Sequence, residues 1–213
     1  MSTGIEVEHE YRDGICVVRL NGTLDLSLGD HKILQEGAQQ VVFDFDGIRR
    51  VTSFGILMWT RAVEEISVDY IGMWRCRPCI VQQLNVVSDF ARKCDLVSVY
   101  LPYACEECDK EFDVLWDLRD KHAHALKGDV GQEPCPKCGR QADFDDLPSN
   151  YFAFSHRIAA PAPPSAVAAR LLSVEMSQVG RGARDRAPPA RSSTLDATAR
   201  AAKQGISRGK GGL

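Results

Sequence analysis

Apolar and polar residues alternate over residues 5–10 and again over 15–20, the period-two pattern of half-buried strands. Asp13-Gly14 between them is a hairpin signal, so the two segments predict an antiparallel pair. A weaker helical pattern follows over residues 24–39, with Leu28, Ile33 and Leu34 as its apolar positions. Val41-Val42-Phe43-Asp44-Phe45 is a dense β-branched and aromatic run, the mark of a buried central strand. Residues 46–50 read as a short polar turn. From Ser53 onward, Ile56, Leu57, Trp59, Ala62, Val63 and Ile66 recur at helical spacing. Residues 68–74 predict another strand. Pro78 suits a first helical turn, and Ile80, Val81, Leu84, Val87 and Phe90 continue that helix. Residues 96–101 predict a last strand. This alternation predicts an α/β fold, a largely parallel sheet packed on helices, over residues 1–103.

Composition changes the picture toward the C-terminus. The 213 residues carry a net charge of −3, but residues 158–213 hold 9 basic and 3 acidic side chains and no Phe, Trp, Tyr, His or Cys. Such an Ala/Pro/Gly/Arg-rich stretch buries too little apolar surface to offset chain entropy and reads as a disordered basic tail. Residues 165–179 are the possible exception, where Val167, Leu171, Leu172 and Val174 suit a short amphipathic helix. The tail is the one segment suited to nucleic acid or an acidic partner. No apolar run approaches the ~20 residues that span a bilayer. The first eleven residues are acidic and lack an apolar core, so no secretory leader is expected.

The run from Val41 to Leu57, with Asp44-Phe45-Asp46-Gly47 and Thr52-Ser53-Phe54-Gly55, resembles the signature of STAS domains, which include bacterial anti-sigma-factor antagonists. The similarity extends over residues 5–103. It implies a four- or five-stranded sheet on helices and a non-enzymatic role, docking on a serine kinase or another switch protein. Ser53 stands where the antagonists carry their phosphorylated serine, and Gly55 matches the family glycine. Thr52 replaces the family Asp, and Phe54 replaces its second Ser. Independently of the resemblance, a serine at a helix N-terminus lies beside unpaired N–H groups and the positive end of the helix dipole. A phosphate there adds about −1.5 to −2 charge and can block a partner surface. Alternatively, Thr52 or Ser53 is simply the helix N-cap.

Eight cysteines without an export signal point to reduced thiols in a cytoplasmic setting. Cys105-Glu106-Glu107-Cys108 and Cys135-Pro136-Lys137-Cys138-Gly139 are two C-x-x-C pairs 26 residues apart. Two such knuckles make a tetrahedral Cys₄ site, the usual closed arrangement for structural zinc. Cys105, Cys108, Cys135 and Cys138 are therefore the expected ligands, in a zinc ribbon over residues 104–157. That segment is net acidic, which argues against nucleic-acid contact. His122 and His124 lie between the knuckles as alternative ligands or plain polar residues. Cys76-Arg77-Pro78-Cys79 follows a strand and opens a helix, as thiol redox sites do. Cys16 and Cys94 read as packing residues. Asp44 and Asp46 share a strand face and read as a solvated strand end.

Three functions follow as expectations. The first is a non-enzymatic regulator that binds a kinase or switch partner, controlled at Ser53. The second is a thiol redox sensor or oxidoreductase using Cys76 and Cys79. The third is an adaptor that binds through the zinc ribbon.

Overall fold

A computed structural model of the chain describes residues 4–179. The expected hairpin forms from β1 (Ile5–Arg12) and β2 (Ile15–Leu24), antiparallel along their length. Asp13 and Gly14 take φ of 52° and 79°, as a two-residue hairpin turn requires. β3 (Gln40–Val51), β4 (Tyr70–Trp74) and the short β5 (Asp95–Leu96) add in parallel. The result is one five-stranded sheet in the order β1-β2-β3-β4-β5. Helices α1 (Ser53–Glu65) and α2 (Pro78–Val86) follow β3 and β4.

Residues 24–39, expected as a helix, hold instead a single 3-10 turn, Leu26–Asp30. Asp25 caps it by accepting from the Ser27 N–H at 2.9 Å. Leu28 is its one buried residue, too little apolar surface to hold a longer helix against the sheet. Residues 46–50, expected as a turn, continue β3 and pair with β2 as far as Leu24↔Val51, past two register shifts. β4 stops opposite Asp44, so the end of β3 is paired with a strand on one side only and tolerates exposed Arg49 and Arg50. Residues 96–101, expected as one strand, divide at Val97 between β5 and β6 (Ser98–Cys105).

β6 begins a second, antiparallel sheet. It pairs with β7 (Lys110–Asp117) and with β9 (Gln141–Phe144), which pairs in turn with β8 (Glu133–Pro134). Helix α3 (Leu118–Lys127) lies between β7 and β8, and the short α4 (Pro148–Tyr151) precedes a 3-10 turn, Ala153–His156. β6 crosses residues 103 and 104, where the first two segments were expected to meet. Its first half docks beside the end of β4. Cys76 bridges Val99, its N–H donating to the Ser98 carbonyl at 3.0 Å, and the Tyr100 N–H donates to the Cys76 carbonyl at 2.9 Å.

Strand alternation divides the apolar side chains between two faces. On one face, a continuous cluster runs from Val41, Phe43 and Trp59 through Ile80 and Leu84 to Tyr103, Trp116 and Phe154. Trp59 anchors it, edge-on to Phe43 and Phe45 at 4.9 and 5.1 Å, its indole N–H donating to the Phe90 carbonyl at 2.8 Å. On the other face, Ile15, Val42, Trp74 and Val97 are covered by α5 (Ser165–Val179). The amphipathic helix expected within residues 165–179 thus forms and packs, so this part of the chain is not tail. Val167, Leu171 and Val174 are buried, whereas Leu172 points outward. Arg170 ties α5 to β1 through Glu10, which also accepts from Arg19. Residues 158–164 of the expected tail also pack, Pro161 buried and the Ala162 N–H donating to Asp95 at 3.1 Å, and residues 180–213 lie outside the described residues. Among the described residues no helix is long and apolar enough to cross a membrane.

Candidate functional site

The two C-x-x-C pairs sit at the same end of the second sheet. The first is the turn between β6 and β7, where Asp109 takes φ of 53°. The second is the turn between β8 and β9. Its ends are tied by the Cys135 N–H donating to the Arg140 carbonyl at 2.7 Å and the Gly139 N–H donating to the Cys135 carbonyl at 2.9 Å. Gly139 has φ of 71°, which a side chain would resist. The pairing of β6 with β9 brings the knuckles together. Cys105 Sγ lies 3.5 Å from Cys138 Sγ, and Cys108 Sγ lies 3.6 Å from Cys135 Sγ.

All four sulfurs fall within 4.8 Å of one another. Sulfurs held about 2.3 Å from one tetrahedral ion stand roughly 3.8 Å apart, so the donor set fits such an ion. All eight cysteines of the chain are free. Burial works against the charged form of Cys135, but the Lys137 and Cys138 amides aimed at its sulfur bring its pKa down to about 6, while burial and the neighbouring sulfurs push Cys105 up and Cys108 up to about 12. A thiolate is the form a metal binds. The aromatic side chains of Tyr103, Phe112, Phe144 and Tyr151 pack in sequence behind this end of the sheet. His122 and His124 are engaged elsewhere. His122 Nε2 meets the Ile158 carbonyl at 3.0 Å, and His124 Nδ1 meets Asp129 at 3.1 Å.

The second candidate is the start of α1. Thr52 is its N-cap: Oγ1 accepts from the Gly55 N–H at 3.1 Å, and the Thr52 N–H donates to the Leu24 carbonyl at 2.9 Å. Ser53 is the first helical residue and is exposed. Apolar side chains in the same region also face solvent: Phe54 at 64% exposure, Leu57 at 41%, and Leu26 at 59% on the neighbouring 3-10 turn. Gly55 is buried because the helix start presses on β2, and a Cβ there would stand 2.0 Å from the Leu24 carbonyl oxygen.

Cys76 and Cys79 sit differently. Cys76 is fully buried, and burial first, then nearby Asp44, pushes its thiol well above the ordinary value. Burial also pushes the Cys79 thiol up to about 11. A redox-active pair needs the opposite shift and an accessible sulfur. Cys16 and Cys94 are buried in the core, as packing residues are.

One constellation has no counterpart in the sequence pattern. Asp44, expected with Asp46 at a solvated strand end, is buried to 2% exposure, and Asp46 is half-buried. Asp44 accepts from Arg75 Nε at 3.0 Å and from its Nη2. Asp46 accepts from Arg77 Nη2 at 2.6 Å, while Arg77 Nη1 reaches Asp113 on β7 at 2.8 Å. The two guanidinium groups lie over Trp74 and Tyr100, 4.2 and 4.3 Å from the ring centres. Arg75 holds φ of 52°, a strained conformation for a residue with a side chain. The partners are 31 residues apart in pairs and meet only through the β3–β4 register that sets Asp44 opposite Trp74. An Arg-x-Arg after an apolar strand carries no local sign of that.

Set against known proteins, the chain matches no family model and no curated protein.

Proposed function

We propose that this chain is a non-enzymatic regulatory module that binds a switch partner or serine kinase through the start of α1, with a structural zinc ion at its four cysteines. The observation that carries the reading is Ser53, a modifiable hydroxyl exposed at the first position of a capped helix, with exposed Phe54 and Leu57 on the same helix and Leu26 alongside. Exposed aromatic and aliphatic side chains around one polar group suit a protein contact. The likeness of residues 41–57 to STAS antagonists points the same way, as does a five-stranded sheet whose helix α1 follows β3. A phosphate on Ser53 places about −2 charge beside that apolar contact and disfavours docking by charge and desolvation.

Cys105, Cys108, Cys135 and Cys138 hold the zinc. A zinc ion held there would be structural, tying the turn between β6 and β7 to the turn between β8 and β9. Eight cysteines with none in a disulfide suit a reducing compartment, in keeping with a cytoplasmic regulator.

The test is partner capture from the cells that make the protein, using wild type, Ser53→Ala and Ser53→Asp, together with phosphosite mapping of the native chain. The reading expects a partner retained by wild type and Ser53→Ala and released by Ser53→Asp. Equal retention by all three removes the switch.

A further inference from the structure

The four-cysteine site and the start of α1 belong to different sheets, yet the same few elements hold both. β6 carries Cys105 at its end, while its first half is bonded to the segment after β4 through Cys76. β7 pairs with β6 from Ser98↔Asp117 to Cys105↔Lys110, so the hairpin that ends in the first knuckle is one stiff unit of roughly 25 Å. Midway along it Asp113 stands opposite Pro102 and takes Arg77 Nη1 at 2.8 Å. Arg77 is itself buried and reaches back to β3. Its Nε donates to the Asp46 carbonyl at 2.9 Å and its Nη2 to the Asp46 carboxylate at 2.6 Å.

Beyond Asp44, β3 has lost β4 as a neighbour and keeps β2 as its strand partner, while Arg77 and, 3.6 Å from the Asp46 carboxylate, Arg75 Nη1 reach it from the other side. Arg77 therefore braces the stretch of β3 that leads within six residues to Thr52, the cap of α1. A buried guanidinium shared between two carboxylates has little freedom to move without leaving a charge unpaired. The hairpin cannot shift while Arg77 keeps both Asp113 and Asp46.

We infer that metal binding at the four cysteines is transmitted to the start of α1, with Arg77 as the tie between Asp113 and Asp46. With metal bound, the knuckles clamp the β6–β7 hairpin, Asp113 holds Arg77, and the end of β3 presents Thr52, Ser53 and Phe54 in one fixed arrangement. With metal removed, the hairpin loosens from its cysteine end, the Asp113–Arg77 contact is no longer enforced, and the start of α1 frays. The chain then offers its partner face only when metal-loaded. This inference rests on the metal reading above and names a control over the Ser53 face.

The experiment is amide hydrogen exchange on full-length protein, zinc-loaded and stripped by a chelator under reducing conditions, for wild type, Asp113→Asn and Arg77→Met. In wild type, stripping is expected to speed exchange over residues 105–138 and, by at least about fivefold, over residues 53–58. Asp113→Asn keeps the Asp46–Arg77 contact and the shape of the site, so it guards against a merely unfolded Arg77→Met. In Asp113→Asn the response of residues 53–58 is expected to shrink while that of 105–138 persists. If residues 105–138 respond in wild type and 53–58 do not, the coupling is overturned and the metal site stands. An unchanged response of 53–58 in both variants overturns the assigned tie. If neither segment responds to zinc, the metal reading falls and takes this inference with it.

Discussion

Replacing Gly55 with alanine tests how the partner face is built. In an open helix that change stabilises by about 1 kcal/mol, because alanine loses less backbone entropy than glycine. Here the added Cβ would lie 2.0 Å from the Leu24 carbonyl oxygen, 2.4 Å from its carbon and 2.8 Å from the Asp25 nitrogen. All three atoms are backbone, so no rotamer change relieves the clash. Ordinary contact distance is reached only if the first turn of α1 moves away from β2 by about 1.4 Å, and overpacking of this kind costs roughly 1–3 kcal/mol. The movement also stretches two bonds to Leu24, from the Thr52 N–H at 2.9 Å and the Thr52 hydroxyl at 3.3 Å. Each is worth about 0.5–1.5 kcal/mol. Set against the propensity gain, the net expectation is a loss of about 1–5 kcal/mol. Urea unfolding followed by tryptophan fluorescence measures it, since Trp59 is buried on the same helix. Gly131→Ala is the control: a Cβ there meets nothing within 4 Å, so its stability should stay within about 0.5 kcal/mol of wild type. A Gly55→Ala protein as stable as wild type, or more so, would refute the close approach of α1 to β2.

Thiol alkylation at pH 8 on native zinc-loaded protein should leave Cys16 and Cys76 unlabelled, because both are fully buried. Cys79 should react slowly, since with its pKa at about 11 only about one thiol in a thousand is ionised at pH 8. Labelling of Cys76 and Cys79 at the rate of the unfolded chain would instead favour the redox reading. Glu10 tests the clamp on α5. Its hydrogen bond from Arg19 outweighs burial and, with Arg170, holds its carboxyl below the ordinary range. A lowered carboxylate gives stability that is full above its unfolded pKa and is lost as pH falls through the folded value. Wild type should therefore lose more stability than Glu10→Gln between about pH 5 and pH 3, and equal losses in urea titrations across that window would contradict the clamp.

How much of this was legible in the sequence varied with the range of the contacts involved. The β1–β2 hairpin was readable because Asp13-Gly14 and two alternating runs are local signals. The four cysteines were readable because each knuckle is a short spacing, and the sheet had only to bring two of them together. Even α5 was visible as an apolar stripe, though not what it covers: Val42 and Trp74 lie on a sheet face that only the fold defines. Residues 24–39 misled because Leu28, Ile33 and Leu34 suggest a helical stripe, whereas of these three Leu28 alone is buried and the capped turn ends after one cycle. The extension of β3 through Asp46 and Arg50 was hidden by its charges. Those side chains are stable there because Asp46 finds Arg77 and the two exposed arginines lie where β4 has ended. The Asp44–Arg75 and Asp46–Arg77–Asp113 contacts join residues more than 30 positions apart, so no window of sequence contains both partners.

The proposed function and the inferred coupling to α1 both rest on a metal ion at the four cysteines. The most direct test is the zinc content of reduced, purified protein, measured with the free-thiol count for wild type and Cys135→Ser. One zinc per chain in wild type, with four thiols shielded, and loss of both in the variant is the result the proposal predicts. No metal in wild type, with all four knuckle cysteines freely reactive, would contradict it.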